Sequence, residues 1–204
     1  MGVILGIAAI FYIIFGTNDI RIGKINFRYA NYTGTVDRFQ KVVNKDPLNP
    51  EAHLYLGLGY GKKGNYEGAF REFDWLQKNA PGFPISADLL NGIGMIYYVK
   101  EEYGGAIERF KKAASLDKRC SECYFNLGTA CSAAGDTQGA IAAYTAALKI
   151  DPRHAYSHWN LAIALEKTGD TAGAIKHWQE YARLTPGVFL NPEVERHISE
   201  LQQQ

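Results

Sequence analysis

The sequence predicts an all-α solenoid of stacked helical hairpins, preceded by one membrane-spanning helix. Three observations carry this expectation. The chain is similar to itself at a spacing of 34 residues over most of its length. Each such unit shows two apolar stripes at helical spacing, divided by a turn that usually holds glycine. The first eighteen residues carry no charged side chain.

The amino-terminal stretch runs Val3-Ile4-Leu5-Gly6-Ile7-Ala8-Ala9-Ile10-Phe11-Tyr12-Ile13-Ile14-Phe15. Eighteen helical residues rise roughly 27 Å, close to the roughly 30 Å hydrocarbon core of a bilayer. A cleaved signal peptide would need a basic start and a small-residue cleavage site, and neither is present. A core helix would show polar residues on one face, and this stretch shows none. Residues 1–18 are therefore expected to form an uncleaved anchor. Gly2 and Gly6, with Ala9 on nearly the same face, would let a second transmembrane helix approach closely. Arg21, Lys24 and Arg28 follow the span, which favours repeats on the cytoplasmic over the periplasmic side. A single-pass protein of the bacterial inner membrane is the expectation. No Gly/Ser linker separates the span from the first repeat, so the anchor should run into it with little break.

The repeat is clearest over residues 121–154, with Tyr124, Leu127, Gly128, Gly135, Ala140, Tyr144, Ala147 and Pro152. Thirty-four residues on stand His158, Leu161, Ala162, Gly169, Ala174, Trp178, Tyr181 and Pro186. Thirty-four back stand Leu90, Ile93, Gly94, Glu101, Ala106, Phe110, Ala113 and Lys118. A further copy holds His53, Leu56, Gly57, Gly64, Ala69, Phe73, Leu76 and Pro81. Gly57, Gly94, Gly128 and Ala162 are small where a neighbour must cross closely. Ala69, Ala106, Ala140 and Ala174 sit where the second helix presses on the first. Phe73, Phe110, Tyr144 and Trp178 fill the space between units, and Pro81, Pro152 and Pro186 stop the second helix.

This pattern resembles the tetratricopeptide repeat (TPR), over nearly everything after residue 18. The resemblance implies a right-handed solenoid with a degenerate repeat at 19–49 and repeats at 50–83, 87–120, 121–154 and 155–188. Asn191-Pro192-Glu193 opens a further helix, expected to cap the stack over 191–204. Glu101 at the usual turn glycine and Lys118 at the usual proline depart from the family and bear on the sharpness of two corners. In such proteins the first helices line a groove for a partner. Carried over by position, the groove residues are Leu54, Leu58, Asn91, Met95, Tyr98, Phe125, Thr129, Trp159 and Ile163. The set is apolar and aromatic. It lacks the basic residues with which some family members clamp a carboxylate, so an apolar or amphipathic peptide is the expected ligand. Trp159 and Phe125 are the expected anchors.

Enzymatic chemistry finds little support. No Ser-His-Asp order, phosphate loop or paired carboxylates stand out from the repeat. Cys120-Ser121-Glu122-Cys123 is a C-x-x-C at a helix start, where a thiol's pKa falls. It lacks a βαβ context, a following histidine or a second pair, so redox, haem and zinc roles are not favoured. Cys131 occupies a core position. Three cysteines make a poor disulfide framework and lean toward a reducing compartment. His53 and His158 fall at a bulky core position and are expected to pack there, hydrogen-bonded. The balance of 22 Lys+Arg against 21 Asp+Glu argues against nucleic acid as a partner.

The sequence therefore predicts a non-enzymatic scaffold or assembly factor of a membrane complex, with no metal, cofactor or catalytic residue. Its partners would be other proteins, with the bilayer contacted through residues 1–18. A permanent structural subunit of a larger membrane complex or filament is the alternative. A thiol module using the C-x-x-C is a minor one.

Overall fold

The computed structural model describes residues 18–186 and 191–203. The expected anchor at 1–18, with Gly2, Gly6 and Ala9, lies outside the described residues except for Asn18. Among the described residues no helix is long and apolar enough to cross a membrane. These residues form eleven helices and no strand. Helix α1 is helical over 18–28. It is followed by α2 (Tyr32–Lys45), α3 (Pro50–Lys62), α4 (Tyr66–Asn79) and α5 (Ala87–Val99). Then come α6 (Tyr103–Leu116), α7 (Ser121–Ala133), α8 (Thr137–Ile150), α9 (Ala155–Lys167), α10 (Thr171–Leu184) and α11 (Asn191–Leu201). The chain divides into two compact units, one ending at Ile96 and one starting at Tyr97.

One turn recurs between the two helices of each pair. A residue in the left-handed region ends the first helix, namely Ala30, Gly64, Glu101, Gly135 or Gly169, with φ between 58° and 82°. The next backbone N–H then reaches back to the carbonyl five residues earlier: Asn31 to Asn26 (2.8 Å), Asn65 to Tyr60 (2.9 Å) and Glu102 to Tyr97 (2.9 Å). Asp136 to Cys131 (2.9 Å) and Asp170 to Leu165 (3.0 Å) repeat it. This closes the helix end in the manner of a Schellman cap. The same residue caps the second helix. Asn31, Asn65, Asp136 and Asp170 accept from the backbone N–H of Gly34, Gly68, Gly139 and Gly173. Glu102 makes no such bond.

Glu101 therefore holds the corner that glycine holds elsewhere, at φ 62°. A side chain there costs about 1–2 kcal/mol against the right-handed region. Replacing Glu101 with glycine should stabilise the chain by about 0.5–1 kcal/mol, glycine's greater unfolded-state entropy offsetting part of the gain. Chemical denaturation of the variant beside wild type checks this, and an unchanged or lower midpoint would contradict it. The Lys118 corner also forms. Asp117 accepts from Arg119 N (2.9 Å), as Asp151 accepts from Arg153 N (3.0 Å) beside Pro152. The aspartate makes this turn with or without proline.

In the first unit, α1 to α4 and the start of α5 pack around Phe39, Val42, Leu56, Phe73 and Leu76, all essentially buried. Small residues meet rings sixteen positions on. A Cβ on Gly23 would fall 2.6 Å from a ring carbon of Phe39, and one on Gly57 2.5 Å from Phe73. The other edge of Phe73 lies against Gly92 of the next helix, within 2.8 Å of where its Cβ would be. That ring thus fills the space within its own repeat and against the next. Asp19 ties α1 to α2 through Arg38 (2.8 Å).

The second unit repeats the device on α7 and α8, where a Cβ on Gly128 would fall 2.6 Å from the Tyr144 ring. Ala113, Ala140, Ala147 and Ala174 are fully buried, which lets the helices approach closely. At its far end Val194, Ile198 and Leu201 of α11 join Ala162, Trp178 and Tyr181 in one apolar cluster. Of the polar residues of α11, His197 meets Glu166 of α9 (3.0 Å), while Glu193, Glu195, Arg196, Ser199 and Glu200 are exposed.

Candidate functional site

The expected groove residues fall into different environments in the two units. In the first, Leu54 and Leu58 are only 8% and 7% exposed. They belong to the core, and their assignment to a partner groove is corrected. The cause is visible at Leu58, whose Cδ2 lies 3.3 Å from where a Cβ on Gly92 would be. Glycine at 92 opens a seat on α5, and the leucine fills it. Asn91 and Met95 on α5 stay half-buried.

In the second unit every expected position keeps open surface. Tyr98 is half-buried, its ring centroid 5.7 Å from that of Tyr103. Phe125 and Thr129 lie one turn apart on α7, and Trp159 and Ile163 one turn apart on α9, all half-buried. Phe125 is braced by His154 (centroids 4.8 Å apart) and Tyr144 (6.0 Å). The Thr129 hydroxyl donates to the Phe125 carbonyl (3.1 Å) and accepts from the Tyr144 hydroxyl (3.4 Å). Trp159 stands edge-on to Trp178 (4.7 Å, 85°) and packs against Tyr181 (4.9 Å). Such contacts hold the two rings in place from behind.

One residue of this face escaped the sequence reading. Tyr156 is 68% exposed on α9. It precedes Trp159 by three positions and Ile163 by seven, so the three share one helix face. That spacing was the available signal.

Two of the histidines, His53 and His158, belong to the core. His53 is buried between Glu72 (2.6 Å) and the Pro47 carbonyl (2.9 Å). At the equivalent place, His158 Nε2 faces the Pro152 carbonyl (3.1 Å) and its Nδ1 faces His177 Nδ1 (2.9 Å). A carbonyl only accepts, so Nε2 of His158 carries hydrogen. In neutral His158, Nδ1 then accepts, and His177 donates. His154 caps α9 through Ser157, so His154 and His158 do not converge. Among the described residues no group of three His, Cys, Asp or Glu side chains could hold a metal.

Burial, then the neighbouring His158 and Lys176, hold the His177 imidazole below its ordinary range. Glu180 and Asp170 oppose this more weakly. The unfolded chain binds that proton near pH 6.5, whereas the folded chain binds it only at lower pH. Stability should be full above about pH 6.5 and fall as the pH drops toward the folded value. Thermal melts at pH 7.5 and 5.5 check this, and His177→Gln should flatten the difference. An unchanged slope in the variant would assign the acid sensitivity elsewhere.

Two of the three cysteines are joined. Cys120 and Cys123 form a disulfide with Cα atoms 5.3 Å apart, so the expectation of a poor disulfide framework is corrected for this pair. The bond closes one turn at the start of α7 and staples no two elements together. Cys131 is free and buried, and burial pushes its thiol up. It behaves as a small hydrophobe.

The tetratricopeptide repeat family profile matches residues 56–122 and 125–188. This chain belongs to the tetratricopeptide repeat family. An Arabidopsis thaliana relative, "Probable UDP-N-acetylglucosamine--peptide N-acetylglucosaminyltransferase SEC", is 32% identical over 109 residues. That match covers 53% of this chain and 10% of the relative, so the chain spans a small part of that protein's length. Solved TPR structures share the fold. The Pseudomonas aeruginosa protein pilF superposes with a TM-score of 0.74 at 17% identity, covering 92% of this chain and 84% of that one. YrrB, described as "a TPR protein with an unusual peptide-binding site", gives 0.64 at 17% identity, covering 87% and 90%. Family members of this kind bind other proteins or peptides, and the all-α repeat architecture fits an interaction module.

Proposed function

We propose that this chain is a membrane-tethered scaffold that holds an apolar or amphipathic segment of another protein against α7 and α9. The observation that carries the reading is the largely apolar and aromatic set formed by Phe125, Thr129, Tyr156, Trp159 and Ile163. Two of its rings are braced from behind, and a third is 68% exposed. Braced aromatics that keep open surface are what interface anchors are made of. Tyr98, at the start of the second unit, is a further half-buried aromatic of the expected set. The description of YrrB as peptide-binding adds a precedent for the fold, at the level of fold alone.

The tether rests on the uncharged residues 1–18, and the basic residues at 21, 24 and 28 favour a cytoplasmic position on a bacterial inner membrane. Confinement to the bilayer raises the effective concentration of a membrane-complex subunit near the face. The chain binds and positions, and performs no chemistry on its partner. A second reading, a permanent structural subunit, draws on the small residues Gly2, Gly6 and Ala9, which suit a fixed helix–helix contact.

Purification in mild detergent at native expression, for wild type and for Phe125→Ala and Tyr156→Ala, tests the proposal. Tyr156→Ala should reduce the co-purifying protein about tenfold, the effect of losing roughly 1.4 kcal/mol of interface energy. Its thermal midpoint should stay unchanged, because the ring is largely exposed. Full retention of the partner by both variants would remove the α7–α9 face from the account. Association with fixed stoichiometry that withstands high salt would favour the structural subunit.

A further inference from the structure

We infer that the Cys120–Cys123 bond is a reversible redox site: a dithiol–disulfide pair at the start of α7 that exchanges electrons with a thiol reductant without altering the fold. Its place among the repeats argues first. The first helices α3, α5, α7 and α9 begin at Asn49, Ser86, Cys120 and His154. Each of these side chains accepts from the backbone N–H three residues on, at Ala52, Leu89, Cys123 and Ser157. An oxygen or ring nitrogen does this work in three helices, and sulfur is the weakest of these acceptors. Capping alone therefore does not account for cysteine at position 120, still less for a second cysteine at 123.

Architecture does not account for the bond either. Its ends are three residues apart within one helical turn. A disulfide stabilises chiefly by closing long loops in the unfolded chain, and this loop is about as short as a disulfide closes. The cap survives reduction, because the Cys120 sulfur sits 3.1 Å from the Cys123 N–H and accepts from it as thiol or thiolate. Both redox states suit the same backbone.

The two sulfurs are unequally placed. Cys120 is half-buried at the exposed end of the turn, beside Lys118 and Arg119, while Cys123 is fully buried. An incoming thiolate reaches Cys120. Its attack forms a mixed disulfide with the Cys120 Sγ and breaks the bond to Cys123, whose sulfur takes the electron pair and then a proton from water. A second thiol of the reductant attacks the mixed disulfide and releases Cys120 as a thiolate. The reductant ends as a disulfide, two electrons have passed to the cysteine pair, Cys123 holds one proton taken from water, and Cys120 stays a thiolate until water supplies the second. The helix N-terminus and the Cys123 N–H stabilise the released Cys120 thiolate, which keeps the pair reducible. Reoxidation is the same sequence reversed.

The test is a redox titration of the full chain in mild detergent, in glutathione buffers of graded ratio. Thiols are trapped by alkylation and assigned by peptide mass, with circular dichroism in parallel. The pair should pass from disulfide to dithiol within the glutathione range, with oxidative and reductive approaches meeting on one curve and helix content constant. In native Cys123→Ser, Cys120 should alkylate at least tenfold faster than Cys131. A pair that stays oxidised until the protein is denatured, stays reduced in the most oxidising buffer, or loses helix on reduction would overturn the inference. So would equal alkylation of Cys120 and Cys131 in the folded variant.

Discussion

Gly128→Val is expected to destabilise the second unit by about 3 kcal/mol, at the upper end of overpacking costs. The reason lies in one contact. Even the first carbon of a side chain at 128 would fall 2.6 Å from two ring carbons of Tyr144. That ring is 2% exposed, so packing on all sides leaves it no open space to swing into. The helices must separate instead, which opens voids along α7 and α8. For a chain of this size the midpoint should fall by about 6–12 °C. Gly104→Ala supplies the control. Nothing lies within 4 Å of a Cβ at that position in α6, so alanine should be neutral or stabilise by up to about 1 kcal/mol through helix propensity. Equal behaviour of the two variants would contradict the packing account.

Trp178→Ala should cost about 3–5 kcal/mol, the range for emptying a large aromatic site in a core. Trp178 is 4% exposed and stands edge-on to Trp159, Tyr181 and His197. Its indole N–H donates to Glu166, which also meets His197 of α11 (3.0 Å). The side chain therefore joins α9, α10 and α11. Its loss should free α11 first, because that helix is held mainly by Val194, Ile198 and Leu201 on this cluster. Hydrogen exchange should show protection lost over residues 191–201 before it is lost in α7 and α8. Uniform loss across the second unit would argue that α11 is not a separate cap.

Much of this architecture was legible because the repeat superimposes independent signals. A small residue and an aromatic sixteen positions apart, Gly57 with Phe73 and Gly128 with Tyr144, announce a crossing that the structure makes. The turn glycines Gly64, Gly135 and Gly169 announce left-handed corners. Glu101 shows how far the pattern tolerates departure: backbone hydrogen bonding over-determines the corner, and a strained glutamate occupies it. The groove was legible only in part. Leu58 follows the same spacing as Thr129 and Ile163, yet it is buried because Gly92 on the next helix leaves a seat for it. Position in a repeat does not report what the neighbouring helix presents. Tyr156 stands in the first turn of α9, ahead of the positions carried over from the repeat, and only its spacing to Trp159 and Ile163 points to it. The Cys120–Cys123 bond was not legible because an odd cysteine count favours free thiols, although the C-x-x-C spacing places the two on one helical turn.

A scaffold of this kind must touch another protein through its α7–α9 face. Site-specific photocrosslinking in cells measures that directly. A photoreactive residue would replace Tyr156, with a control at exposed Lys149 on α8. The account predicts a discrete adduct with one protein from position 156 and none from 149, and Trp159→Ala should weaken it. No protein adduct from position 156, or the same adducts from both positions, would contradict a partner-binding face on these helices.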